Sequence, residues 1–245
     1  MPSERFYIDE TLEQGLSVSL KNEEFHHLAH VIRTKAGDTI ELINGKGILA
    51  LGLVETIEKK QAQISISSIE SSEAPPSYEL ILAQAMPRQP RLEYILEKSV
   101  ELGVTKIGLF PGMLSEKKEF SPSQVERVNY IITSAMKQCG RLFIPELILL
   151  PSLLSWKQET LPKASFFGDT SPEAELFLDN LMSQKERSLL MAIGPEKGFH
   201  PKEEAWMTNS LKMKGVHLHK NILRTDTAAI FSLSLASAFL STHKN

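Results

Sequence analysis

Three loops in the C-terminal part of the chain carry residues able to hold or polarise a ligand. The first, Gly194-Pro195-Glu196-Lys197-Gly198-Phe199, follows the apolar run 189–193 and precedes a helix that starts near Pro201. Glycines in such a loop let a ligand approach the backbone closely, and the free N–H groups of a helix start favour an anion or a carboxylate. The loop matches neither GxGxxG nor the P-loop pattern, because Lys197 precedes the second glycine and no Ser or Thr follows it. An ordinary strand-to-helix turn is the plainer reading. The second loop runs from Leu218 to Ala228. It sets Lys220 and Arg224 just before a helix N-terminus, where a purely structural arginine is electrostatically misplaced. Either Thr225 or Asp226 caps the helix and Arg224 pairs with a nearby acid, or Arg224 faces an anionic ligand group. In the third, Gln138-Cys139-Gly140-Arg141-Leu142-Phe143-Ile144-Pro145, Gly140 reads as a helix stop with Arg141 exposed beyond it.

The histidines point less clearly to chemistry. His26 and His30 stand at i and i+4, a metal-ligand spacing, but the Glu of HExxH is missing and no third ligand is evident. A solvated or RNA-facing helix is the better reading. His217 and His219 alternate as on a strand and so share a face, again without a ligand set. No metal is expected. Cys139 is the single cysteine, which rules out an internal disulfide, suits a reducing cytoplasm and reads as a small buried hydrophobe.

The elements that must carry these loops divide into two patterns. Residues 15–20, 39–43 and 62–67 alternate apolar and polar beside the turn pairs Gly37-Asp38 and Asn44-Gly45, which predicts a small β-rich domain. One helix interrupts it, with Asn22 as cap, Glu23 and Glu24 in the first turn, and Phe25, Leu28, Ala29 and Ile32 at helical spacing. The run Ser67–Ser77 is polar and then doubly proline-punctuated, and reads as an interdomain linker. The domains are therefore drawn at 1–72 and 78–245 with 73–77 between them. After the linker, β-rich runs at 80–83, 107–110, 165–167 and 189–193 alternate with amphipathic helices. Gly103 ends one helix, Ser121-Pro122-Ser123-Gln124 caps another, and Pro201 and Thr225 open two more. That alternation predicts a mostly parallel sheet covered by helices, with ligands beyond the carboxyl ends of its strands.

The chain has 245 residues, enough to bury roughly 70–75% of its unfolded surface. Its composition, 42% hydrophobic and 23% charged, is neither disordered nor collagenous. The first ten residues contain acids and no apolar core, and no apolar stretch is long enough for a membrane span. A soluble, cytoplasmic protein is expected.

Glu101-Leu102-Gly103-Val104, the 138–145 segment, Ile193 to Phe199 and Ile222 to Ala228 occur in the order and spacing of the bacterial ribosomal RNA small-subunit methyltransferase E family. The stretch from His26-His27-Leu28 through Val31-Ile32-Arg33 to Gly37-Asp38 resembles that family's first domain, so the likeness spans nearly the whole chain. The resemblance implies a fold similar to SPOUT-class methyltransferases: a PUA-like β-domain, then an α/β domain whose C-terminal segment threads a trefoil knot. It implies methyl transfer from S-adenosyl-L-methionine to N3 of one uridine of 16S rRNA in the small ribosomal subunit, usually by a homodimer. It would set Gly194, Pro195, Glu196 and Gly198 on one side of the cofactor, and Leu218, Ile222 and Leu223 on the other. Arg224 falls on the family's motif arginine beside the reacting centre, which makes it the catalytic candidate. The sequence departs from the family pattern at three positions. Lys197 replaces a glycine, His219 stands where glycine is common, and Asp226 replaces a glutamate. If position 197 needs positive φ, lysine costs a kilocalorie or so there. A cofactor site closed by Lys197 and His219 would instead leave a catalytically weakened RNA-binding module. The group that takes the uridine proton is open between Asp226, Glu196 and water.

The formal net charge of -3 argues against a general polyanion sponge. Residues 1–72 hold 7 basic and 11 acidic residues and residues 73–245 hold 20 and 19, so the acidity sits in the first domain. RNA contacts must then rest on local cations, namely Arg33, Lys35, Arg141 and Lys220 besides Arg224, with selectivity for a structured particle.

Overall fold

The computed structural model describes residues 5–242. Residues 1–4, at the start of the expected first domain, and 243–245, at the end of the expected second domain, lie outside the described residues. The chain divides into two compact units: residues up to Pro75 with Thr133–Ile144, and Pro76–Ile132 with the chain from Pro145 onward.

In the first unit, strands β1 (Arg5–Tyr7), β2 (Ser17–Lys21), β3 (Thr39–Ile43), β4 (Ile48–Ile57) and β5 (Gln61–Ser72) form one sheet in the order β1-β3-β4-β5-β2. β1 pairs parallel with β3 and the other pairs are antiparallel. Alternation works as the pleat demands: Val18 and Leu20, Ile40 and Leu42, and Ala62, Ile64 and Ile66 turn inward onto Phe6, Phe25 and Leu28. β4 escapes the alternation rule because its residues 48–54 are nearly all apolar and its pairing with β5 is bulged at three places. The polar run from Ser67 belongs to β5 as far as Ser72, so the part of it read as linker from 67 to 72 is strand: its hydroxyls sit on an exposed edge face while its backbone pairs with β4.

The expected helix at 22–32 is α1 (Asn22–His26) followed by a π-helical turn, His27–Ile32. Asn22 is not its side-chain cap; Lys21 takes that place without a side-chain bond, and Asn22 itself has φ 51°. The wider turn ends on Arg33, held at φ 61°. The segment Thr133–Ile144 adds Lys137, paired with Glu24 at 2.6 Å, and Gly140, whose carbonyl accepts from Arg5 Nη1 at 2.9 Å. Arg141 is half-buried rather than exposed, and engaged in an interaction of its own.

In the second unit, β6 (Glu79–Ala85), β7 (Lys106–Phe110), β8 (Glu146–Leu149), β9 (Ala164–Gly168), β10 (Glu175–Leu176), β11 (Ser188–Ile193) and β12 (Lys214–His217) form an all-parallel sheet ordered β10-β12-β9-β11-β6-β7-β8. The helices are α2 (Gln89–Glu101), α3 (Pro122–Cys139, of which the part from Thr133 belongs to the first unit), α4 (Phe177–Met182), α5 (Pro201–Asn209) and α6 (Thr225–Thr242). The sheet's central strands are apolar on both sides, as a doubly covered parallel sheet requires. Ala83, Ala85, Phe110, Phe167, Leu190 and Ala192 join one core cluster with Trp156, Met207 and Leu211, while α2 and α6 pack together and α6 lies on β6 and β11. The expected proline-led caps form. Ser121 and Gln124 bond reciprocally at the start of α3, and Gly103, at φ 83°, closes α2. β12 ends at His217, so His219 lies in the following loop and the two histidines do not share a strand face.

Candidate active site

Three neighbouring strands, β12, β9 and β11, end at one cavity of about 290 Å³. Its walls are the loop 168–170 after β9, the loop 194–199 after β11, the loop 217–223 after β12, and Thr225 and Ala228 on the first turn of α6. This is where a parallel α/β sheet takes its ligands.

The 194–199 loop is shaped by its glycines and by a buried glutamine behind it. A side chain on Gly194 would meet the backbone of Gly198 and Phe199 at 3.0–3.2 Å, so the chain folds back on itself closely there. Gly198 has φ 73° and donates to the Pro195 carbonyl at 2.9 Å. Lys197 is not at a positive φ, so the residue that replaces the family glycine bears no backbone strain. Thr225 Oγ1 donates to the Gly194 carbonyl at 2.6 Å, and the fully buried Gln84 lies with its amide nitrogen 3.3 Å from the same carbonyl and 3.2 Å from Thr225 Oγ1. Phe199 then turns inward, edge-on to Phe167, and His200 caps α5 through Nδ1 while Glu203 accepts from the His200 and Met113 N–H groups. Burial of Glu203 is complete, so both its oxygens are held in place by main-chain donors.

The opposite wall is softer. His219 packs edge-on against Phe231 and accepts from the Asn221 N–H at 3.1 Å, while Ile222 is 83% exposed. The His219 ring is thus occupied by its own helix and loop while still lining the cavity. Asp169, at the end of β9, accepts from Ser171 N–H at 2.8 Å and lines the cavity without an ion pair among the described residues. Glu204 sits near it; burial, then Asp169 and Glu203, push its carboxyl above the ordinary range.

The structure brings together the seven residues expected at the cofactor. Gly194, Pro195, Glu196 and Gly198 line one side, and Leu218, Ile222 and Leu223 the other. Arg224 follows Leu223 but does not line the cavity; its side chain is exposed and forms no ion pair among the described residues. Lys220 is exposed in the same loop. Arg33 and Lys35 lie in the first unit, where Arg33 lines a separate groove with Ile32, Thr34 and Asp38. Two groups of site residues escaped the sequence reading. Gly168, Asp169 and Thr170 follow an expected strand, so the rule that chemistry follows strand ends was enough to find them. Arg91, near the start of α2, pairs with Glu196 at 3.4 Å and with Asp226 at 3.0 Å. It is a cation near a helix N-terminus, the same anomaly that singled out Arg224.

A bulged β-domain and a parallel sheet with its cavity at three strand ends define a two-part α/β protein whose second unit is built to hold a small ligand. Comparison with known proteins narrows that class. Residues 74–237 match the family model of the RNA methyltransferase domain, and residues 20–67 that of the RNA methyltransferase PUA domain. The chain belongs to this family of RNA methyltransferases, with a PUA-like domain ahead of the α/β methyltransferase domain. It is 26% identical over 250 residues to the ribosomal RNA small subunit methyltransferase E of Bacillus subtilis, covering 96% of each chain. A methyltransferase of Legionella pneumophila, solved with its cofactor S-adenosylmethionine bound, superposes with a TM-score of 0.88 at 26% identity, covering 97% of this chain and 98% of that one. A ribosomal RNA small subunit methyltransferase E of Neisseria gonorrhoeae, at 24% identity and a TM-score of 0.83 over 95% and 96% of the two chains, shares the fold.

Proposed function

We propose that the chain transfers a methyl group from S-adenosyl-L-methionine to N3 of a uridine in 16S rRNA of the small ribosomal subunit, with Arg224 as its catalytic residue. The observation that carries this reading is the cavity at the ends of β9, β11 and β12, with Arg224 exposed between its lining residues Leu223 and Thr225 and without an ion pair among the described residues. The residues present suit the cofactor. Gly194 lets the cavity loop fold back closely on Gly198 and Phe199; Ile193, Leu218 and Leu223 provide apolar walls, and Asp169 and Thr170 provide polar groups for hydroxyls or an ammonium. When bound, the cofactor would supply an electrophilic sulfonium methyl group for N3 of the uridine, with the thioether as its leaving group.

This chain's own residues supply the rest. The uridine must be unpaired for its Watson–Crick edge to reach the site, and N3 must give up its proton. As it does, negative charge spreads to O2 and O4. Arg224 is exposed and forms no ion pair among the described residues, so it is available to that developing anion, and such stabilisation counts for more in the transition state than in the neutral base. Loops held by Gln84, Thr225 and Glu203 keep the approach in line without rearrangement. The RNA is held by Lys220 in this unit and by Arg33, Lys35 and Arg141 in the other, the chain acts as a homodimer, and its C-terminal segment threads a trefoil knot around the cavity loops. Support for these last points is the resemblance and the ordered motifs.

The test is transfer of labelled methyl from S-adenosyl-L-methionine into undermethylated small subunits, read by nucleotide position. Arg224→Ala is expected to lower kcat about 10²–10³-fold while cofactor binding measured by calorimetry persists. Full activity in that variant removes Arg224 from the mechanism. Salt-dependent rRNA binding without cofactor binding in the wild type identifies the binding-module reading instead.

A further inference from the structure

Resting on that methyltransferase reading, we propose that Arg91 is a positioning residue of the site: its guanidinium fixes the loop 194–199 to the first turn of α6 by holding the carboxylates of Glu196 and Asp226 together. Three separate segments meet in this cluster. Arg91 Nε lies 3.4 Å from Glu196 Oε1 and Arg91 Nη1 lies 3.0 Å from Asp226 Oδ1, so the two acids take two different nitrogens of one planar group. The Arg88 backbone N–H donates to the same Glu196 oxygen at 3.0 Å. All three side chains are only 23–28% exposed, which sets the cluster apart from the open surface pairs that contribute little.

The placement of Arg91 is unfavourable for its own helix. It is the third residue of α2, where the helix dipole repels a cation, so its reason for being there is its partners. Those partners lie on both sides of the cavity's working edge. Glu196 belongs to the loop that lines the cavity, and Asp226 stands two residues after Arg224 in the turn that begins α6. The same loop and helix are already joined on the inside by Thr225 Oγ1 and the Gly194 carbonyl. That inner tie is uncharged, and Gln84 sits beside it, wholly buried. Arg91 is the outer, charged tie. Removing it leaves two carboxylates of like charge near one another while the inner tie and the core stay intact. The loss therefore falls on the precision of the rim and not on the fold.

Arg91 and the main chain together engage one oxygen of each acid: Glu196 Oε1 takes Arg91 and the Arg88 N–H, and Asp226 Oδ1 takes Arg91 and the Thr227 N–H.

The experiment compares the wild type, Arg91→Ala, Arg91→Lys, and Arg91→Ala in a Glu196→Gln, Asp226→Asn background. For each, KM for S-adenosyl-L-methionine and kcat are measured for methyl transfer into small subunits, with calorimetry of cofactor binding and a thermal melt. Arg91→Ala is expected to raise KM for the cofactor about tenfold, with a smaller fall in kcat, and to melt near the wild type. Lysine, a single point charge, recovers less than half of the loss because it cannot span both acids. In the neutral background, removing Arg91 changes KM by less than about twofold, because there are no carboxylates left to hold. A tenfold effect that persists in that background overturns the proposal, as does Arg91→Ala with wild-type kinetics. A wild type that neither binds the cofactor nor transfers methyl overturns the methyltransferase reading and this inference together, whereas an active wild type with an unaffected Arg91→Ala overturns the inference alone.

Discussion

At Gly194 the absence of a side chain is what lets the loop return on itself. A Cβ there would stand 3.0 Å from the Gly198 carbonyl carbon and 3.1 Å from the Phe199 nitrogen, both backbone atoms that cannot rotate away. Gly194→Ala is therefore expected to cost about 1–3 kcal/mol by overpacking and to weaken cofactor binding more than it lowers the melting temperature, since the displaced atoms line the cavity. Calorimetry and a thermal melt on the same sample separate the two effects; unchanged affinity would show that the loop relaxes elsewhere. Such positions were legible in the sequence because the loop is contiguous and its glycines announce close approach. The Lys197 departure was visible too, but its cost was not. The strain needed a φ value, and the positive φ belongs to Gly198. Arg91 and Asp169 carried local signals, a cation near a helix start and a residue after an expected strand, but each acquires its role from residues distant in the chain, Glu196 and Asp226 for the one, the ends of two other strands for the other.

Elements with a strong period were readable, and those that break their period were not. The capping box before α3 and the apolar runs of β6, β7, β9 and β11 follow from local rules, and the structure holds them within a few residues of expectation. The segment 22–32 has helical spacing and sends both Phe25 and Leu28 into the same core, yet it widens into a π-turn that ends at Arg33 in the left-handed region, which no local spacing announces. A non-glycine residue at φ 61° costs roughly 1–2 kcal/mol, a strain that persists where function requires the side chain. Arg33→Gly should then raise the stability of the protein by about 1 kcal/mol while weakening binding to small subunits and lowering the salt slope of that binding by about one unit. Melting temperature and a salt titration of binding measure both; a gain in stability with unchanged binding would remove Arg33 from the RNA surface, and no gain would mean that its side chain contributes as much to the fold as the strain takes away.

On the scale of the whole molecule the parallel sheet has two ends with different duties. Its carboxyl ends carry the cavity, and its amino ends carry ion pairs that hold neighbouring strands. Glu79, the first residue of β6, accepts from Lys106 of β7 at 2.6 Å and from Ser188 of β11 at 2.5 Å, which holds its carboxyl below the ordinary range, while Glu79 holds the Lys106 ammonium above its own. The sign of the consequence is fixed by linkage. A carboxylate whose folded pKa is depressed contributes stability that is present above its unfolded value near 4.5 and is lost as pH falls through the lower folded value. A lysine whose folded pKa is raised contributes stability below its unfolded value near 10.5 and loses it as pH rises through the folded one. The pair therefore works between those limits. Because about a third of each side chain is exposed, solvent screening keeps its worth within about 1 kcal/mol. Glu79→Gln is expected to lower the melting temperature by about 2–4 °C at neutral pH and by nothing measurable at a pH below the depressed folded value, where the wild-type carboxyl is protonated as well. Methyl transfer at neutral pH should be unchanged, since this edge of the sheet is opposite to the strand ends that line the cavity. An equal drop in melting temperature at both pH values would mean that packing, and not the charge of Glu79, joins β6 to its neighbours there.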